Sequence, residues 1–93
     1  MVTWDERKRE TNLRQHGLDF DGCEEVFDHP VITAEDQRTA YGEQRINLLG
    51  WLHGRVVHMT YTELGDDDLR VISLREATKH EARYYFEAVS YQA

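Results

Sequence analysis

The dipeptide His53-Gly54 constrains this chain more than any other feature. Its flanks, Arg45 to Leu52 and Arg55 to Thr62, alternate in polarity with a period of two, and a two-residue loop between such runs reads as a tight β-hairpin. The loop then dictates the pairing. With Leu52 opposite Arg55, Trp51 meets Val56 and Leu49 meets His58, and partners across a hairpin share a face. Ile46, Leu48, Leu52, Val57, Met59 and Tyr61 form the core face. The other face carries Arg45, Asn47, Leu49, Trp51, Val56, His58 and Thr60. That set is too polar for a core and too aromatic for plain solvent surface, so it reads as a working face.

The segments around the hairpin follow other periods. Asp5 to Gln15 lacks Gly and Pro and predicts a helix, with Thr3 or Asp5 as N-cap and His16-Gly17 as the stop. Its apolar content is chiefly Trp4 and Leu13, which predicts docking by a narrow edge with Arg7, Lys8, Arg9 and Arg14 in water. Phe20, Cys23 and Phe27, at i, i+3 and i+7, predict a short second helix that Pro30 ends. Val31 to Ala34 is a short strand, and Gly65 to Asp68 is a turn. Leu69 to Leu74 is the last strand, sending Ile72 and Leu74 to the core and Val71, Ser73 and Arg75 to the working face. Glu76 to Val89 is the final helix. The fold class is α+β: two N-terminal helices, a three- to four-stranded antiparallel sheet and a C-terminal helix, in one domain over residues 1–93.

Charge sharpens the functional reading. Eighteen acidic against 11 basic residues give a net charge of −7, which disfavours indiscriminate adsorption to nucleic acid or to anionic membrane. Yet residues 17–36 hold seven acidic and no basic side chains, so the rest of the chain balances at 11 against 11. A local cationic site is therefore compatible with the total, and the acidic stretch is a candidate dock for a basic partner. No apolar run approaches the ~18 residues of a membrane span, and the charged N-terminus is unlike a signal peptide; a soluble, cytoplasmic protein is expected. Cys23, the single cysteine, excludes an internal disulfide and reads as a small buried apolar residue. The five histidines show no HExxH or i, i+4 pairing, so no metal or other cofactor is expected.

A set of ordered motifs carries a resemblance. Trp4, Asp5, Lys8, Asn12, His16 and Gly17 are followed by Phe20 and Phe27, then Gly42-Glu43 with Arg45, Gly50, Tyr61-Thr62-Glu63 and Arg70-Val71-Ile72-Ser73-Leu74-Arg75. Ala77, Glu81, Arg83 and Tyr84-Tyr85 complete the series. Together these residues resemble the BrnT family of type II toxin–antitoxin systems, over roughly residues 3–87. The resemblance implies a RelE-like fold and a metal-independent ribonuclease that cuts cellular RNA and arrests growth. It further implies neutralisation by a BrnA-type antitoxin with a DNA-binding domain that helps repress the operon, and a possible higher-order toxin–antitoxin complex. Two features depart from the family pattern: Leu64, where arginine is frequent, and the run Asp66, Asp67 and Asp68 beside the last strand. They keep open a non-catalytic, antitoxin-binding module of the same fold acting in operon regulation.

Metal-free RNA cleavage uses the neighbouring 2′-hydroxyl as nucleophile, so the protein must accept a proton and stabilise a crowded phosphate. Arginine suits the phosphate because its planar fork makes two parallel hydrogen bonds. Arg75, ending the last strand on the working face, is the leading candidate, with a surface ion pair to Glu76 or Glu43 as the alternative. Arg70, five residues earlier, points the other way in a regular strand and suits the sheet edge or the Asp66 to Asp68 run. Glu43, which the family resemblance alone implies, and His58 are the candidate proton carriers; histidine titrates nearest neutrality among unperturbed side chains. Lys79 and Arg83, four apart on the final helix, suit a phosphate backbone or a chain of surface ion pairs. Lys8, His16 and Arg45 are further RNA-binding candidates. Trp51 suits either stacking on an unpaired base or packing under an antitoxin segment.

Overall fold

The hairpin forms in the register its loop dictates: Leu52 opposite Arg55, Trp51 opposite Val56 and Leu49 opposite His58. His53 and Gly54 both take left-handed backbone angles, φ 50° and 84°, as a two-residue turn matched to strand twist requires. The structure, a computed structural model, describes residues 1–36 and 42–90. Along the chain lie β1 (Val2–Trp4), α1 (Glu6–His16), a 3₁₀ helix (Cys23–Asp28), β2 (Val31–Glu35), β3 (Ile46–Leu52), β4 (Arg55–Gly65), β5 (Asp68–Glu76) and α2 (Lys79–Ser90).

The fold is α+β, with a mixed sheet of five strands in the order β1-β5-β4-β3-β2. This corrects the expected three or four antiparallel strands. The extra strand, β1, pairs parallel to β5, Val2 with Leu69 and Trp4 with Val71. Three residues are too few to show a period, so nothing local marks them as a strand; β5 supplies the template.

A second correction lies in β5. Thr60 pairs with Ser73, but Tyr61 pairs with Val71, so Ile72 is an unpaired bulge residue. One extra residue reverses the parity of everything before it. Val71 and Leu74 are therefore both fully buried, while Ile72 is only partly so. Arg70, opposite Thr62, comes onto the same face as Ser73 and Arg75, contrary to the regular-strand expectation.

The core lies on the predicted face: Leu48, Val57 and Met59 are fully buried, and Ile46, Leu52 and Tyr61 nearly so. The second predicted helix is 3₁₀, and its three-residue turn selects Phe20, Cys23 and Val26 for burial. Phe27, expected inside on α-helical spacing, is 42% exposed and meets Tyr61 edge-on. Burial pushes the Cys23 thiol up to about 12, in keeping with a packing role.

Helix α1 begins at an Asp5 N-cap, whose carboxylate accepts from Arg7 N, and ends at Gly17 with φ 73°. It docks through Asn12, not Leu13: Asn12 is the buried residue of the helix and Leu13 is 43% exposed. The final helix starts later than expected, because β5 continues to Glu76. It begins with a capping box, Glu81 N–H donating to Thr78 Oγ1 and Thr78 N–H to Glu81 Oε1. Helix α2 also crosses the face read as open. Its Tyr85 is buried and donates to Pro30 O, and Phe86 lies against Trp51 at 6.1 Å. The sheet is thus covered by the 3₁₀ segment on one side and partly by α2 on the other.

Candidate functional site

The working face positions its side chains through strand register. His58 on β4 and Arg75 on β5 are direct cross-strand partners, so both project from the face opposite the core. One step along, Thr60 faces Ser73 on β5 and Asn47 on β3, and donates to Asn47 Oδ1 at 2.9 Å. Helix α2 then brings a carboxylate to this array. Arg75 Nη1 donates to Glu81 Oε1 at 2.8 Å and Nη2 to Glu81 Oε2 at 3.0 Å, with a further Nη1 bond to Glu76 O at 3.2 Å.

This end-on grip fixes the guanidinium and leaves its other edge, Nε–H and the second Nη2–H, without a protein partner among the described residues. Such an edge matches two oxygens of a phosphate. The bonds from Arg75 hold the Glu81 carboxyl down to about 2, against burial and with help from Thr78 N–H. His58 is shifted down from its ordinary 6.5, first by burial and then by the Arg75 charge. Its Nδ1 is buried without a hydrogen-bond partner among the described residues. A neutral imidazole beside a fixed cation can accept a proton near neutral pH. A cleft of about 250 Å³, lined by Asn47, His58, Glu81 and Tyr84 among others, lies between β2, β3 and the start of α2.

The other candidates fall into separate groups. Arg70 Nη2 donates to Glu43 Oε2 at 2.8 Å, and Arg45 Nε lies 3.9 Å from Glu43 Oε1. Arg70 is thus held by Glu43, not by the Asp66 to Asp68 run. Thr62, opposite Arg70, anchors this group by donating to Gln44 O at 2.7 Å. Thr62 lies four positions along β4 from His58, about 13 Å. Glu43 therefore belongs to an arginine cluster at one end of the face and not beside the His58–Arg75 pair. Lys8 and His16 line one cleft on α1. Trp51 packs on Phe86, and Lys79 and Arg83 are exposed on α2.

Sequence reasoning missed Glu81 as a site residue. The Thr78-x-x-Glu81 spacing was a readable capping signal, but Arg75 as its second partner depends on how α2 returns to the sheet.

The family model described as the ribonuclease toxin BrnT of type II toxin–antitoxin systems matches residues 4–81. Among solved structures, the chain is similar to the Brucella abortus ribonuclease toxin BrnT, determined at 1.1 Å: 32% identity, TM-score 0.63, covering 84% of this chain and 96% of that one. No curated protein matches.

Proposed function

This chain belongs to the BrnT family of ribonuclease toxins of type II toxin–antitoxin systems, and on that premise we propose that it is a metal-independent endoribonuclease toxin. The observation that carries the reading is the cross-strand pair His58–Arg75, with Glu81 gripping one end of the guanidinium. In this mechanism the 2′-oxygen of RNA attacks the adjacent phosphorus as neutral His58 takes the hydroxyl proton. The free edge of Arg75 binds the non-bridging oxygens, on which charge accumulates in the transition state. The bond to the 5′-oxygen breaks, solvent protonates the leaving oxygen, and the products are a 2′,3′-cyclic phosphate and a 5′-hydroxyl. No step requires a metal.

Arg70, held by Glu43, and Arg45 extend the cationic surface along the sheet, and Lys79 and Arg83 extend it along α2; these four cations guide the RNA strand. A BrnA-like antitoxin with a DNA-binding domain neutralises the toxin, and their higher-order complex represses the operon. Among the described residues no helix is long and apolar enough to cross a membrane.

The test is cleavage of RNA by purified protein in the presence of chelator. Cyclic-phosphate ends are expected, with Arg75→Ala and His58→Ala each reducing the rate by about 100-fold or more. Intact RNA with the wild-type protein would sink the proposal. It would instead support a second reading, a non-catalytic antitoxin-binding module. Leu64, 54% exposed beside the acidic Asp66-Asp67 turn, favours that reading, since an apolar and acidic surface suits protein better than RNA.

A further inference from the structure

Several arginines of this chain are held in ion pairs. Arg9 is held by Asp19 and Glu6, Arg55 by Glu76, Arg70 by Glu43 and Arg75 by Glu81. Arg7, Lys8 and His16 have no ion pair among the described residues, and neither do Arg14, Lys79 and Arg83; the first three are set apart by where they lie. All three line a cleft of about 280 Å³ between α1 and β5, together with the neutral side chains Thr11, Gln15 and Ser73. No carboxylate and no Trp, Tyr or Phe is among the residues lining it.

The cleft is fixed in place. Lys8, Asn12 and His16 fall at i, i+4 and i+8, on one row of the helix. Asn12, the middle of the row, is bonded to the backbone of Leu74 on β5. Lys8 and His16 are therefore held one turn to either side of a clamp, about 12 Å apart along the axis. The cleft also adjoins the proposed cleavage site. Ser73 lines it and lies two residues before Arg75 on the same strand face, about 7 Å away.

From this geometry we infer that the α1–β5 cleft is a second phosphate subsite, which holds the backbone of the RNA strand flanking the cut. The inference rests on the RNA-cleaving reading of the His58–Arg75 site and adds to it a separate contact. A strand whose phosphate sits at Arg75 passes Ser73 and reaches Lys8 and His16. Two cations, Arg7 and Lys8, with hydroxyl, amide and imidazole groups beside them and no carboxylate, suit phosphate, a contact that carries no sequence information. Binding there is indifferent to sequence.

The experiment measures binding by fluorescence anisotropy, using a single-stranded decamer with 2′-O-methyl groups throughout, which cannot be cut through its own 2′-oxygen. Lys8→Ala and Lys8→Glu are compared with Arg55→Ala, which removes a charge that Glu76 already pairs and that does not line the cleft. Lys8→Ala should weaken binding about fivefold for several unrelated sequences and lower the salt slope by about 0.7 to 1, with Lys8→Glu weakening it further. Arg55→Ala should change affinity less than about twofold. Equal effects of Lys8→Ala and Arg55→Ala would overturn the inference, as would a Lys8 effect confined to one sequence or wild-type protein that does not bind the decamer. Cleavage of the matching unmodified decamer is scored separately. Binding with the Lys8 dependence but without cleavage would leave the subsite standing and remove the enzymatic reading.

Discussion

The side-chain amide of Asn12 pairs with the backbone of Leu74 as a neighbouring strand would: Nδ2 donates to Leu74 O at 2.7 Å, and Oδ1 accepts from Leu74 N at 3.0 Å. Strand β1 ends its pairing with β5 at Val71, so beyond that point the sheet edge would be bare. Asn12, 5% exposed, closes it and fastens α1 to the sheet. Asn12→Ala leaves a buried donor and a buried acceptor unpaired, and is expected to cost about 2 to 4 kcal/mol. Urea denaturation checks this, as a fall in midpoint with unchanged slope. Asn12→Asp keeps an acceptor for Leu74 N but sets a carboxylate against Leu74 O, so it should not restore stability.

Gly50 lets the 3₁₀ helix lie close on the sheet. A Cβ there would stand 2.5 Å from Val26 Cγ2, 3.2 Å from Leu48 Cδ2 and 3.3 Å from Val31 Cγ1. Leu48 can turn aside, but Val26 is β-branched and fully buried. Gly50→Ala is expected to destabilise by about 1 to 3 kcal/mol. Thermal unfolding of Gly50→Ala and of Gly50→Ala/Val26→Ala tests the cause: relief in the double variant locates the clash, and additive losses would place it elsewhere.

His58 gives the pH dependence its sign. Burial and the Arg75 charge push its folded-state pKa below 6.5, so the folded protein resists a proton that the unfolded chain accepts. Its contribution to stability is complete above 6.5 and is lost as pH falls through the folded value. As the proposed base it must be neutral, so kcat/KM should climb to its plateau below pH 6.5. Arg75→Ala removes a positive neighbour while Glu81 remains, and should move the titration upward. Ring-proton shifts of His58 against pH in both proteins check this, and a wild-type midpoint at or above 6.5 would contradict it.

What was legible in the sequence is what short-range chemistry decides. The His53-Gly54 turn set the hairpin register and with it the core face and the placing of His58 on the opposite face, because a two-residue loop leaves no freedom to slip. Asp5 and Gly17 bounded α1 for the same reason. The bulge at Ile72 was legible only as a break in the period: Val71 and Ile72 are successive apolar residues between Arg70 and Ser73, and packing against β4 decides which of the two is left unpaired. That one residue decided whether Arg70 shares a face with Arg75. β1 and the Asn12 clamp likewise depend on β5, more than 60 positions away in the chain. The candidate site was therefore half visible: Arg75 and His58 from strand parity, Glu81 only once α2 was placed.

Glu81 carries two tasks that a single substitution separates. Its carboxylate caps α2 through Thr78 N–H and grips Arg75 at both terminal nitrogens. Glu81→Gln keeps an acceptor for the cap, so the loss of stability should be small, about 1 kcal/mol or less. It removes the charge and one of the two acceptors that hold the guanidinium, so Arg75 is free to turn away from the phosphate. A positioning loss of this kind is expected to lower kcat by about tenfold to a hundredfold with little change in KM. Glu81→Asp keeps the charge but shortens the reach, and should fall between wild type and Glu81→Gln. Because bonding to Arg75 holds the Glu81 carboxyl at about 2, the grip should persist as pH falls through 4.5 and fail only as it nears 2. Steady-state kinetics of the three proteins decide the matter: if Glu81→Gln cleaves RNA as fast as wild type, Arg75 does not need this carboxylate, and the orientation of the cation has another source.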